Sequence, residues 1–111
     1  MDEIYELEAN ILGSMILDYK RFQSGQEKGL IPDDFEVNSY RRAYEIMLEE
    51  NANDIVTIRS NLENDEVFRE VQHATAHCIS SAGFDGWLTL IQNKSSNNKL
   101  LRLAEEIPRI V

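Results

Sequence analysis

The side chains best suited to chemistry in this 111-residue chain are His73, His77 and Cys78. Histidines four positions apart share one face of a helix, and such a pair can hold a transition metal. A complete site needs a third and a fourth ligand, and the chain has no further His or Cys to supply them. Cys78 also lies well round the helix from His73, so neither a metal nor another cofactor is expected. Adjacent carboxylates occur at Asp33-Asp34, Glu49-Glu50 and Glu105-Glu106. They could do acid–base work only in a cleft that raised one pKa, and neighbours on a helix point in different directions. They read as solvated charge. Neither a Gly-x-x-x-x-Gly-Lys-Ser/Thr phosphate loop nor a Gly-x-Ser-x-Gly elbow occurs, so catalytic residues are not expected.

Composition narrows the function classes further. At 42% hydrophobic and 28% charged residues the chain is ordinary for one soluble globular domain with one core. No apolar run approaches a bilayer-spanning length, and Asp2, Glu3 and Glu6 stand where a signal peptide would be basic. The single cysteine fits a reducing compartment, which makes the cytoplasm the expected location and a membrane partner unexpected. The formal charge is -9 and unevenly spread. Residues 1–55 carry five Lys and Arg against thirteen Asp and Glu, whereas 56–111 carry six against seven. Phosphate binding draws on clustered cations, so direct nucleic-acid binding is not expected. A basic protein partner accounts for the acidity better.

Hydrophobic spacing predicts an all-α fold. Ile4, Leu7, Ile11, Leu12, Met15 and Ile16 form one face of a helix over about 2–17, and Asp18 stops it or caps the next, about 19–28. Gly29 closes that short helix, and Pro32 and Phe35 mark a connector. Tyr40, Ala43, Tyr44, Met47 and Leu48 give the clearest periodicity, over 38–50. Thr57 is placed to cap a fourth helix carrying Ile58 and Leu62. Asp65 is placed to cap a fifth, about 66–80, holding Val67, Phe68, Val71, Ala74, Cys78 and Ile79. A short loop then leads to a last helix capped by Asp85 and ended by Pro108. These elements predict a small globular bundle over 1–64 followed by an antiparallel helical hairpin over 65–111, within one structural domain.

Two features ask for a reason. Gly13 in mid-helix costs about 1 kcal/mol relative to alanine, most simply repaid by close helix packing. The last helix carries more apolar residues than one stripe needs, including Phe84, Trp87, Leu88, Leu90, Ile91, Leu100, Leu101, Leu103 and Ile107. Surplus of this kind marks a candidate interface, taken as Phe84, Trp87, Leu88, Ile91, Leu100 and Leu103. Trp87 fits equally the anchor of a hairpin or an exposed aromatic for a partner.

Three short patterns, in order and at domain-like distances, resemble the N-terminal domain of DnaB-family replicative helicases. They are Glu8, Leu12 and Gly13 on the first helix, Asp34-Phe35 before the third, and Asp54 with Thr57 before the fourth. A weaker echo is Leu100-Leu101-Arg102-Leu103, and the family's Gly-Gly and Tyr-Leu signature is missing between Asn64 and Ala76. The resemblance implies an all-helical, non-catalytic collar whose hairpins pair between subunits in a trimer of dimers. It also implies docking of primase or a helicase loader. Glu8, Leu12 and Gly13 would serve the packing of the first helix. Val111 falls about where the family's linker leads into the ATPase domain, so two readings stay open: a piece of a longer helicase, or a free-standing relative, for instance phage-encoded. The second would make the chain an acidic regulator of a host replication protein.

Overall fold

A computed structural model of the chain describes residues 3–78 and 80–106, with 96–106 described by backbone alone. Asp2, Ile79, Ile107 and Pro108, which entered the sequence reading, lie outside the described residues. The chain forms α1 (Glu3–Leu17), α2 (Tyr19–Glu27), a 3-10 turn (Pro32–Asp34), α3 (Asn38–Glu50), α4 (Ile55–Asn61), α5 (Asp65–His77) and α6 (Phe84–Glu106). Six α-helices and no strand are present among the described residues.

Local chemistry sets the helix ends. Asp18 is extended and accepts the Lys20 N–H at 3.0 Å, which starts α2 one residue after α1 stops. Gly29 closes α2 at φ 84°, a left-handed conformation that glycine adopts without a Cβ penalty. Asn51 does the same for α3 at φ 50°, and the Ala52 N–H returns to the Met47 carbonyl at 3.1 Å. Helix α5 ends at His77, three residues short of the expected 80, because Cys78 turns extended as its C-cap, and three helix starts also differ from the sequence expectation. Asp54, not Thr57, caps α4, because Asp54 is the extended residue and its carboxylate accepts the Thr57 N–H at 2.9 Å. Asn64, not Asp65, caps α5 by accepting the Glu66 N–H at 2.8 Å. Helix α6 starts on the Gly83 carbonyl, which receives the Trp87 N–H at 3.1 Å; this leaves Asp85 inside the first turn.

The first helix is the hub. Glu8, Ala9, Ile11, Leu12, Gly13, Ser14 and Met15 are all buried, so α1 is covered on more than the single face that its spacing predicts. Its most extensive contacts are with α5, followed by α2, α6 and α3. Among the described residues α5 and α6 each meet α1 far more than they meet one another, so the packing runs through α1. One continuous apolar cluster joins Leu12, Met15, Phe22, Phe35, Tyr44 and Ile58 to Val71, Ala74, Phe84 and Leu88. Each large apolar side chain in it contributes about 1.5–3 kcal/mol by leaving water. Phe35 plugs the centre with its ring 5.6 Å from Tyr44. The Tyr44 hydroxyl donates to the Leu30 carbonyl at 2.9 Å, and burial pushes its pKa up to about 12.

Candidate functional site

Helix α6 carries all six residues expected to form an interface, and the fold divides them. Phe84, Leu88 and Ile91 are at most 2% exposed and belong to the core of the single chain, which corrects their assignment as an outward surface. Spacing explains the outcome: i, i+4 and i+7 form one stripe, and a helix laid against a bundle turns its most apolar stripe inward. Trp87 sits at the margin, half-buried, with its ring so close over Gly83 that a Cβ there would lie 2.7 Å from it. Leu90 points away from the core and is 58% exposed. Gly86 and Thr89 beside it are exposed too. The side chains of Leu100 and Leu103 lie outside the described residues.

The seven motif residues hold the fold together at three places. Around the start of α3, the buried Glu8 carboxylate accepts the Val37 N–H at 2.9 Å. Val37 stands at the helix N-terminus and no side chain of its own segment caps it. Glu8 thus supplies a cap from a distant helix. Burial pushes its carboxyl above the ordinary glutamate value, and backbone hydrogen bonds from Val37 and Glu36 pull it back in part. Asp34 turns the chain into this corner by accepting the Ile31 N–H at 3.1 Å. The Arg41 guanidinium forks onto the Phe35 carbonyl at 3.1 and 2.9 Å. At the second place, a Cβ on Gly13 would lie 2.6 Å from Cys78 Cβ and 2.7 Å from the Ala74 carbonyl oxygen. Close approach of α1 and α5 is the reason for that glycine, and Leu12 is fully buried beside it. At the third, the Asp54 carboxylate accepts from both the Thr57 amide and its hydroxyl, which hold it below the usual aspartate range.

The Glu8 corner opens into a cleft that the sequence reading did not identify. Its volume is ≈ 210 Å³, between the first turns of α1, the 3-10 turn with the start of α3, and the middle of α6. Ile4, Leu7 and Ile91 form apolar walls. Glu8, Asp33, Asp34 and Glu36 bring four carboxylates, against the cations of Arg41 and Lys94. The one trace of it in the sequence is an acid, Glu8, lodged between Leu7 and Ala9 in an apolar stretch.

On α5 the His73 and His77 rings stack at 6.2 Å on the exposed side, while Cys78 is buried and in contact with the Ser14 hydroxyl at 3.4 Å. Among the described residues no three His, Cys, Asp or Glu side chains stand together as metal ligands, and no helix is long and apolar enough to cross a membrane.

The family model described as DnaB-like helicase N terminal domain matches residues 1–107. No curated protein matches the chain.

Proposed function

The chain belongs to the DnaB-like helicase N-terminal domain family, and from that premise we propose that it acts as a non-catalytic collar, associating with copies of itself and docking primase or a helicase loader. Family membership sets the context as replicative helicase function in DNA replication. These 111 residues include no ATPase domain. The work assigned to the domain is therefore assembly.

The observation that carries this reading is the family match across 1–107. Physical features lend support. With Phe84, Leu88 and Ile91 committed to the core, the self-associating face becomes the outer side of α6, centred on exposed Leu90 and the edge of Trp87. The leucines at 100, 101 and 103 extend the apolar content of the same helix in sequence. A self-complementary patch of this kind suits a twofold contact, in which each copy covers the other's Leu90. The acidic first half suits a basic surface on primase or a loader.

Sedimentation equilibrium over a wide concentration range tests the first half. The wild-type chain is expected to associate, and Leu90→Glu is expected to be monomeric with an unchanged unfolding midpoint, because an exposed substitution shifts stability by only about 0.5 kcal/mol. A wild-type chain that stays monomeric throughout overturns self-association. Co-elution with the cognate primase C-terminal domain tests the second half, and separate elution of the two at micromolar concentration counts against docking.

A further inference from the structure

The end of α5 carries two imidazoles that the collar reading leaves unused. His73 and His77 are both exposed and sit one helical turn apart, with ring centroids separated by 6.2 Å and planes 25° from parallel. His73 is also backed by Tyr5 of α1 at 6.4 Å, and the Tyr5 ring lies 5.4 Å from that of the fully buried Tyr40. The contacts of both histidine rings are thus aromatic. Among the described residues their nitrogens join no hydrogen bond or ion pair, which leaves the lone pairs open.

Two donors cannot close a structural metal site, which takes four protein ligands. They do suffice to grip an ion whose other positions stay open, and the i, i+4 spacing is the one by which helical histidine pairs hold zinc in metalloproteases. Zinc takes imidazole nitrogens at about 2 Å, a distance that exposed rings on adjacent turns reach by side-chain rotation.

The surroundings favour a cation at this place. His77 is the last residue of α5, at the negative end of the helix dipole. Glu70, three residues before His73, adds negative charge one turn away; it accepts the Ser39 hydroxyl and does not join the pair as a third ligand. The Tyr5 contact restricts the His73 ring, so less rotamer freedom is lost on binding. Cys78 takes no part, because its thiol is buried against the Ser14 hydroxyl. Donor type then selects the ion: imidazole suits zinc, nickel and copper, whereas magnesium and calcium take oxygen ligands. We propose that His73 and His77 together chelate one divalent transition-metal ion on the exposed side of α5, with its remaining positions left to water. Neither self-association nor partner docking is needed for it.

The test titrates the ¹⁵N-labelled full chain, free of any affinity tag, with zinc chloride and separately with magnesium chloride. Zinc is expected to give saturable shifts of the two imidazole nitrogens and of the amides around 73–77, and magnesium none. His73→Gln and His77→Gln are each expected to weaken zinc binding about a hundredfold, the advantage that a second tethered donor gives over one alone. A double variant, Gln72→His with His73→Gln, keeps two histidines but sets them five apart on different faces, and it should bind as weakly as either single variant. All three positions are exposed, so a dispersed spectrum checks that each variant remains folded. Unchanged affinity in either single variant, wild-type affinity in the five-apart variant, or equal shifts with magnesium would overturn the proposal.

Discussion

Helix α1 meets the rest of the protein in two opposite ways, a few residues apart. At Gly13 it packs directly on the end of α5, and the contact admits no extra atom: Cys78 Cβ and the Ala74 carbonyl oxygen stand 2.6 and 2.7 Å from where a Cβ would be. At Glu8 it reaches α3 through a charged side chain that accepts a backbone N–H at 2.9 Å beside a cleft. The Gly13 contact is fixed by volume and is indifferent to charge. The Glu8 contact is fixed by an acceptor at one point in space, tolerates a change of charge, and is sensitive to pH. Both are motif positions, so a short pattern can conserve geometry through quite different forces.

The largest effect is expected at Gly13. Gly13→Val forces α1 and α5 apart and should cost about 3 kcal/mol in urea unfolding. Gly13→Ala sharpens the comparison. Alanine recovers about 1 kcal/mol of helix propensity, yet its Cβ meets the Ala74 carbonyl, which cannot rotate away, so a net loss of about 1 kcal/mol or more is expected. A stabilised Gly13→Ala variant would show that the two helices separate at little cost.

Next comes Glu8→Ala, expected to lose about 1–3 kcal/mol because the Val37 N–H is left without its acceptor beside a new void. Glu8→Gln keeps an acceptor oxygen and should stay within about 1 kcal/mol of wild type. Its difference from wild type carries a sign. Burial raises the Glu8 pKa in the folded chain, so its favourable contribution is complete below the ordinary glutamate value and is lost as pH rises through the raised one. Relative to wild type, Glu8→Gln should therefore gain stability from acidic to neutral pH. A difference independent of pH would mean that the carboxylate is well solvated.

The smallest effect belongs to Asp54, an exposed cap. Its pKa is lowered by the Thr57 amide and hydroxyl, so its contribution is present above the ordinary aspartate value and fades as pH falls through the lowered one. Asp54→Ala should destabilise less than Glu8→Ala at neutral pH and lose that disadvantage in acid. Parallel pH trends for Asp54 and Glu8 would contradict their opposite shifts.

Much of this was legible in the residues. Tyr40, Ala43, Tyr44 and Met47 predict α3 over 38–50, and it spans Asn38–Glu50. Gly13 signalled a close crossing without naming its partner, because helix propensity reports a cost but not a neighbour. The true caps lie one to three residues before Thr57, Asp65 and Asp85, since which of several polar residues is extended depends on how the preceding chain arrives. The apolar surplus on α6 was visible, but which part of it turns inward was not. A leucine satisfied by its own core and one awaiting another chain look identical as letters.

The sequence by itself determined that the protein is helical, where its helices lie and which short patterns it shares with its family. Those follow from periodicity, glycine and proline, and capping chemistry, all of which act within a few residues. Only the tertiary structure decided that α1 is enclosed by its neighbours, that Glu8 caps a helix twenty-nine residues away, and that Phe84, Leu88 and Ile91 face inward while Leu90 does not. Burial belongs to a position in space, and it exists only once distant segments have closed around it.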